Sequence, residues 1–343
     1  MNTNDSLPLA AIQVIEMHAI GPVPFAGMVL QQLGASVTRI SPPSDPGLGV
    51  NHNPEFDLLN QGKAVLKFDL KTDAGKAALH EQLAKADVML EGFRPGVLER
   101  LDLAPASLLA KHPKLVVGRL SGWGEHGAYA SRAGHDINYL ALAGILHGIG
   151  TKDDPAVPLN VVGDFGGGAM YLLLGVTAKL IQRSATGSGG LATTSILAGS
   201  IGLTPMFFGL MAGGLWNTTR ANNLLDGATP FYRTYRTSDA RHVAVGALEN
   251  KFFKALLAMT GLTKDFDAAD QYDRSTWPQL TELLSNAFGS STMAEWATLS
   301  EQTDSCVSPV LNFLEAANHP HNQANDWYSH EPFVKPRAVI DFD

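Results

Sequence analysis

The stretch AIQVIEMHAIGPVPFAGMVLQQLGASVTRIS, residues 11–41, decides the fold of this chain. Its first part, AIQVIEM at 11–17, is a short apolar run typical of a buried strand, and FAGMVLQQLG at 25–34 has helical periodicity. Gly34 closes this predicted helix, because glycine accepts the left-handed conformation of a helix end. SVTRIS at 36–41 predicts a second strand. A strand, a helix and a strand in succession indicate a parallel pair joined by a right-handed crossover.

The same alternation continues through the first half of the chain and indicates an α/β fold with a Rossmann-like large domain. Around residues 217–245 the pattern changes to polar turns and strand-like segments, followed by helical segments, which predicts a smaller α+β domain. We expect the large domain to span residues 1–216, completed by the C-terminal segment 306–343, and the small domain to span 217–305. The further strand candidates are AVLKFDL (64–70), DVMLEGF (87–93) and KLVVGRLSG (114–122), and the helix candidates between them are residues 73–85 and 97–111.

The composition narrows the classes of function. With 25 Lys and Arg against 33 Asp and Glu, the 343-residue chain carries a formal net charge of −8, which weighs against nucleic-acid binding. The single cysteine, Cys306, excludes an internal disulfide framework and fits a reducing compartment, and we expect it to be a small buried residue. The N-terminal sequence lacks the pattern of a signal peptide, so we expect a cytoplasmic protein.

One segment, Ile196 to Trp216, is apolar and long enough to span a bilayer. It contains several glycines and a proline, and it lacks flanking clusters of Lys and Arg, so we expect a buried helix or a helix that packs on a partner subunit. No other segment resembles a membrane span by sequence. We therefore expect no membrane partner and no nucleic-acid partner.

Two motifs fail the test of context. GWGEHG at 122–127 matches the glycine pattern of a dinucleotide-binding loop. A dinucleotide-binding loop must lead directly into a helix, and the sequence AYASRAG that follows here is a poor helix former. His319 and His321 have no third ligand nearby in the sequence, so we expect them to be turn residues and predict no metal site.

Two other segments have the chemistry of proton transfer. In AGHDINYLALAGIL, His135 and Asp136 stand where a helix begins, and in NVVGDFGGGAMYLLLGVTAKL, Asp164 also stands at a predicted helix start and could be its N-cap. Free amides at helix starts can hold a negatively charged oxygen, and the glycines at 166–168 let a ligand or another helix approach. A histidine and an aspartate facing one carbon could remove and supply a proton. A purely structural role for both residues stays open at this point.

These segments also carry a resemblance to a known family. GHDINY (134–139), VGDFGGG (162–168), EGFRPGVLERL (91–101), LSGWGEHG (120–127) and GALE (246–249) resemble the family III CoA-transferase superfamily, and within it the α-methylacyl-CoA racemase branch. The resemblance covers residues 8–325. It implies an interlocked homodimer and reversible inversion at C2 of a 2-methylacyl-CoA thioester. It implies no metal and no other cofactor, since CoA is part of the acyl-CoA substrate.

The resemblance also implies roles for individual residues. His135 and Asp164 match the two bases, Glu249 matches the acid that orients the histidine, and the amide of Asp136 would hold the thioester oxygen. Arginine suits the phosphates of CoA because its guanidinium pairs with them bidentately. The residues implied in CoA binding are Phe68, Asp69, Leu70, Lys71, Gly92, Phe93, Arg94, Arg100, Gly134, Asp136, Ile137, Asn138 and Tyr139.

Two alternatives remain on the same fold. In a CoA-transferase, Asp164 would be a nucleophile that passes through an acyl anhydride and then a CoA thioester, although a transferase needs no second base such as His135. A non-catalytic CoA-binding protein would bind CoA without turnover. Three places depart from the racemase pattern: Ser41-Pro42-Pro43 stands where a basic residue beside a proline is usual, and Thr193-Thr194 stands where an acidic residue is usual. Phe25 stands where a smaller or polar residue is common, which would change the room for the acyl chain.

Overall fold

The computed structural model describes residues 7–44, 47, 49 and 53–342 and divides the chain into two compact units. The first unit is drawn from residues 1–146, 157–205 and 340–343, and the second from 147–156 and 206–339. The division therefore differs from the expected one: the main boundary lies near residue 206, and residues 306–339 belong to the second unit rather than to the large domain.

Pairing of backbone and side chains explains where the C-terminal segment lies. Residues Val307–Pro309 form a strand that pairs antiparallel with the strand His242–Gly246. Farther along the chain, Glu315 accepts two hydrogen bonds from the guanidinium of Arg241, at 2.9 and 2.6 Å. Both contacts hold the segment in the second unit, and neither is visible as a local pattern in the sequence.

The first unit is built on a six-stranded parallel sheet, which confirms the Rossmann-like α/β prediction. The strands are β1 (Gln13–Met17), β2 (Ser36–Ser41), β3 (Ala64–Lys67), β4 (Val88–Glu91), β5 (Val116–Ser121) and β6 (Gly190–Ser195). Their order in the sheet, β3-β2-β1-β4-β5-β6, places β1 and β4 side by side at the centre, where the direction of the crossovers reverses. The sixth strand was missed, because an edge strand of sequence GLATTS lacks the apolar run of a buried one.

Helices cover both faces of this sheet. One core joins strand residues such as Val14 and Val116 to the helices on one face, and a second joins Ile15 and Val117, which point the opposite way, to the helices on the other. The helices up to residue 212 are α1 (Pro22–Gln32), α2 (Asp73–Leu83), α3 (Val97–Arg100), α4 (Pro105–Lys111), α5 (Asp136–Leu142), α6 (Ile145–Gly148), a π-helix (Val161–Ala169), α7 (Met170–Thr186), α8 (Ile196–Gly202) and α9 (Pro205–Ala212), with a 3₁₀ turn at Pro54–Phe56.

The second unit packs helices on a three-stranded antiparallel sheet, so the prediction of a smaller α+β domain is confirmed. Its core is aromatic and includes the fully buried Phe231, Phe253 and Phe288. Cys306 is exposed, contrary to expectation, and contributes its carbonyl, which accepts from the N–H of Gly246 at 2.9 Å. The elements are β7 (Tyr232–Arg236), β8 (His242–Gly246), α10 (Asn250–Met259), a 3₁₀ turn (Ala268–Asp270), α11 (Trp277–Phe288), α12 (Met293–Ser300), β9 (Val307–Pro309), α13 (Phe313–Asn318), α14 (Pro320–Ala324), β10 (Tyr328–Ser329) and β11 (Lys335–Pro336).

The apolar segments differ from the sequence prediction in two ways. Ile196–Trp216 is not one helix, because α8 and α9 have seven and eight residues and are separated at residues 203–204. Among the residues that the structure describes, the helix with the length and composition of a membrane span is Val161–Thr186, so the expectation that no other segment resembles a span was wrong. This helix packs Leu172 and Val176 into the core against the sheet.

A buried ion pair fixes the start of α1 to the sheet. Lys63 donates to Glu16 of β1 at 2.6 Å and to the carbonyl of Pro24 at 2.9 Å, and both charged side chains are fully buried. Removing one partner of such a pair leaves a buried charge without compensation, which costs more than the intact pair contributes.

We therefore expect Lys63→Met to lower the free energy of unfolding of the first unit by about 3 kcal/mol. Lys76→Met is the matched control, since Lys76 pairs with the exposed Asp102 and an exposed pair contributes about 0–1 kcal/mol. Urea unfolding followed by circular dichroism measures both. Equal losses in the two variants would contradict the role given to Lys63.

Candidate active site

The parallel sheet brings the predicted ligand segments to one edge. Residues 68–71 follow β3 and residues 92–94 follow β4, while GWGEHG at 122–127 follows β5. In an open parallel sheet, ligands bind outside the carboxyl ends of the strands, where the strand order reverses. No helix opens directly after GWGEHG, since α5 begins only at Asp136, and this agrees with rejecting a dinucleotide loop.

The start of α5 lies where the sequence placed it. His135 is the N-cap residue, its side chain is exposed, and its N–H donates to Oδ1 of Asn138 at 3.1 Å. The hydroxyl of Tyr139, one turn into the helix, donates to the carbonyl of Gly134 at 2.6 Å. The helix therefore binds back to the loop that carries the histidine and fixes its path.

Asp164 lies inside a helix rather than at its N-cap, which corrects the sequence prediction. The helix starts earlier, as the π-helix Val161–Ala169, and Asn160 is the N-cap. Short π-helical segments are frequently found at functional sites. The glycines that follow serve helix packing: a Cβ on Gly167 would lie 2.7 Å from the backbone N of Ser200 in α8. The side chain of Asn160 hydrogen-bonds to the carboxyl of Asp164 and lowers its pKa.

One carboxylate joins the two helix starts. Asp136, the first residue of α5, accepts a hydrogen bond through Oδ1 from the N–H of Asp164 at 2.7 Å, and the N–H of Gly163 also hydrogen-bonds to it. Asp136 is buried, and burial raises its pKa while the two amides oppose that shift. Two segments that are 28 residues apart in sequence thus meet at one side chain.

The carboxyl of Asp164 faces the start of α1. It lies against Gly21, where a Cβ would stand 3.3 Å from its Oδ2, and Gly21 has φ of +66°. Gly21 is the N-cap of α1, whose first turn contains Pro22 and Pro24, and prolines carry no N–H to donate. Two of the first three positions of α1 therefore have no N–H that could donate to the carboxylate.

The electrostatics of Asp164 follow from this environment. Burial raises its pKa to about 6, the negative charge of Asp136 adds to the rise, and the hydrogen bond from Asn160 and the charge of His135 oppose it. The influence of His135 on this pKa places the imidazole and the carboxyl within electrostatic range of each other. A carboxyl with a pKa near 6 can exchange a proton near neutral pH.

The remaining predicted residues fall into two groups. Near the site, burial raises the pKa of Tyr139 to about 12; the charge of Asp164 adds to the rise and the charge of Arg94 opposes it. The aromatic ring of Phe25 stacks on that of Phe165, with ring centroids 4.4 Å apart. Glu249 belongs to the second unit, where it is the exposed N-cap of α10. Its proposed partnership with His135 stays a prediction.

Sequence reasoning missed several residues that shape the site. Asn160 hydrogen-bonds to Asp164, Gly21 makes room for its carboxyl, and Trp123 packs edge-on against Tyr139 with centroids 4.6 Å apart. The sequence Gly21-Pro22-Val23-Pro24 carried a usable signal, because proline is favoured at the first position of a helix. Among the residues that the structure describes, no group of three His, Cys, Asp or Glu is arranged to hold a metal ion.

The chain is similar in sequence and in fold to known proteins. The chain is 40% identical over 316 residues to an alpha-methylacyl-CoA racemase of Mus musculus, covering 92% of this chain and 81% of the relative. It is 38% identical over 336 residues to the alpha-methylacyl-CoA racemase of Homo sapiens, covering 97% and 86%. A crystal structure of the probable fatty acyl-CoA transferase of Mycobacterium tuberculosis superimposes with a TM-score of 0.81 at 26% identity, covering 98% and 94%.

A family model described as CoA-transferase family III matches residues 9–336, which include every predicted site residue. The match therefore extends through both units and over all the segments that meet at the edge of the sheet. The chain belongs to CoA-transferase family III.

Proposed function

We propose that this protein is an isomerase that inverts C2 of 2-methylacyl-CoA thioesters by 1,1-proton transfer, in which one group removes a proton from C2 and a second group donates one to the opposite face. The observation that carries the proposal is the Asp136 carboxylate, which joins the helix start bearing His135 to the one bearing Asp164. The relatives named as racemases, at 40% and 38% identity, support the same reading.

In the proposed reaction one base removes the proton from C2, and the electron pair of the C–H bond moves toward the thioester oxygen to form an enolate. The other group, carrying its own proton, donates it to the opposite face of C2, and the reverse reaction exchanges the two roles. Two bases are needed because a single group reaches only one face of the carbon. His135 and Asp164 supply one base for each face.

The enolate needs a donor for its oxygen. The N–H of Asp136 stands in the first turn of α5, where helical amides lack a partner within the helix. One such donor contributes on the order of 3 kcal/mol to the transition state. We assign it to the thioester oxygen, and we assign Glu249 to orienting His135.

The CoA moiety fits the edge of the first unit. Two of the assigned segments directly follow strands of the sheet, 68–71 after β3 and 92–94 after β4. Arg100 lies in α3, and residues 134–139 form the start of α5. Lys71, Arg94 and Arg100 supply cations for the phosphates. The reaction as written uses no cofactor besides the CoA that is part of the substrate.

Solvent-exposed apolar residues support a homodimer as the working form. Along α7, Met170, Leu174 and Ile181 face outward with 49%, 66% and 69% exposure, while the opposite face of the same helix lies in the core. Large contiguous apolar patches on soluble proteins commonly mark interaction surfaces, and these exposed side chains are candidates for one. We propose that a second copy covers it, in the interlocked arrangement that the family resemblance implies. Sedimentation as a stable monomer at micromolar concentration would refute this part of the proposal.

The main test is proton exchange. Each single enantiomer of a 2-methylacyl-CoA, incubated with the protein in D₂O, should gain deuterium at C2 and epimerise. His135→Ala and Asp164→Ala should each lower epimerisation on the order of 100-fold or more, because each removes a general base. Mass spectrometry and chiral chromatography of the hydrolysed acyl group measure both effects.

The controls separate this function from group transfer. His330→Ala and Asp153→Ala change exposed residues outside the proposed site and should leave the rate unchanged. Asp164→Asn should still release the proton of the one enantiomer that faces His135. Absence of deuterium with both enantiomers, together with a CoA adduct on Asp164, would favour a family III CoA-transferase with Asp164 as nucleophile.

The pKa of Asp164 also predicts a dependence of stability on pH. The folded value of about 6 lies above the ordinary value of 3.8, so the folded state holds its proton more tightly than the unfolded chain. The favourable contribution of the protonated form is complete below pH 3.8 and is lost as pH rises through 6. Asp164→Asn should therefore raise the melting temperature at about pH 8 and leave it nearly unchanged at about pH 4. A gain of equal size at both values would contradict the burial argument.

A further inference from the structure

Arg119 lies at the base of the loops that follow strands β4 and β5 of the first unit. Arg119 extends from β5, and its side chain is 10% exposed. Its Nε donates to Glu91 in a short contact, and its Nη1 lies 2.8 Å from Oε1 of Glu99 and 3.0 Å from Oε1 of Glu125. Three carboxylates therefore converge on one guanidinium.

Two of these carboxylates flank the residues that the proposed function places at CoA, and the third belongs to the loop that follows the neighbouring strand. Glu91 and Glu99 stand near the two ends of EGFRPGVLERL, and Glu125 stands in the loop GWGEHG. Glu91 also accepts the N–H of Phe93 through Oε2 at 2.9 Å, so it fixes the backbone just before Arg94. The guanidinium thus joins two loops that leave neighbouring strands β4 and β5.

The contact between Arg119 and Glu99 also affects the direction of the side chains assigned to the phosphates. Glu99 and Arg100 are consecutive in α3, and consecutive residues on a helix point roughly 100° apart. When the side chain of Glu99 is held at Arg119, the side chain of Arg100 therefore points in a different direction from that of Glu99. Arg94, two residues beyond Gly92, acts electrostatically on Tyr139 in α5. The loops around Arg119 carry both arginines that the proposed function assigns to CoA.

Only a guanidinium suits this position. Its planar fork offers several N–H donors in fixed directions, whereas lysine offers one compact ammonium group. Without the guanidinium, Glu99 and Glu125 would repel each other and Glu91 would be left as a buried carboxylate without its cation. The two loops would then separate.

We propose that Arg119 is a positioning residue that holds the loop at residues 92–96 and α3 against the loop at residues 122–127, and thereby sets the affinity for CoA. This inference rests on the proposed function, since CoA is the ligand assigned to Arg94 and Arg100. Arg119 itself does not need to touch the ligand. Its effect should therefore appear in binding and not in the chemical step.

The chain offers a matched control in Arg183 of α7. Its Nη1 lies 2.9 Å from Oδ1 of Asp87 and 3.2 Å from the carbonyl of Lys114, and these residues precede β4 and β5, the same two strands. Arg119 joins the segments at the carboxyl ends of these strands, whereas Arg183 joins the segments at their amino ends. Both side chains are partly buried, at 10% and 18% exposure.

The experiment compares Arg119→Lys with Arg183→Lys in the full-length protein. CoA binding by calorimetry should weaken about tenfold in Arg119→Lys, which corresponds to about 1.4 kcal/mol. KM for a 2-methylacyl-CoA should rise by the same factor while kcat stays within about twofold, the signature of lost ground-state binding. Arg183→Lys should leave the dissociation constant for CoA and KM unchanged.

The outcomes are separable. A folded Arg119→Lys that binds CoA like the wild type, or an equal loss of binding in Arg183→Lys, would overturn the positioning role. If Arg119→Lys does not fold, Glu99→Gln and Glu125→Gln replace it, because these side chains are 39% and 36% exposed; unchanged CoA binding in both would overturn the role as well. Wild-type protein that binds no CoA would refute the proposed function itself.

Discussion

The hydrogen bond from the N–H of Asp164 to the carboxylate of Asp136 is the contact on which the site depends. It closes the start of one helix with a side chain from the start of another, and helix starts need such acceptors because their amides have no partner within the helix. As a result, the start of α5, which carries His135, lies next to the π-helix, which carries Asp164.

This arrangement has an energetic cost that other contacts offset. The carboxyls of Asp136 and Asp164 lie close together and partly buried; burial raises the pKa of both, and the charge of Asp136 raises that of Asp164 further. The amides of residues 163 and 164 oppose the shift at Asp136, and the side chain of Asn160 opposes it at Asp164. Burial holds the pKa of Asp164 at about 6, and the two prolines in the first turn of α1 have no N–H to offer its carboxyl.

The supporting structure works from beneath the site. The Lys63–Glu16 pair holds the start of α1 on the sheet, and Arg119 holds two loops at the ends of neighbouring strands. Both are charges buried inside the first unit, where losing a partner is expensive. A sheet whose loops all leave from one edge gathers distant motifs, and these ionic contacts fix the loops once they meet.

The sequence by itself determined the class of the fold and the identity of the main groups. Periodicity predicted five of the six strands of the parallel sheet, and the predicted helix start at His135 was correct, because both are local properties of spacing and capping. Only the tertiary structure decided the unit to which residues 306–339 belong, the true start of the helix that carries Asp164, and its closeness to Gly21. These depend on strand pairing, side-chain capping and burial between segments far apart in sequence, which leave no periodic trace along the chain.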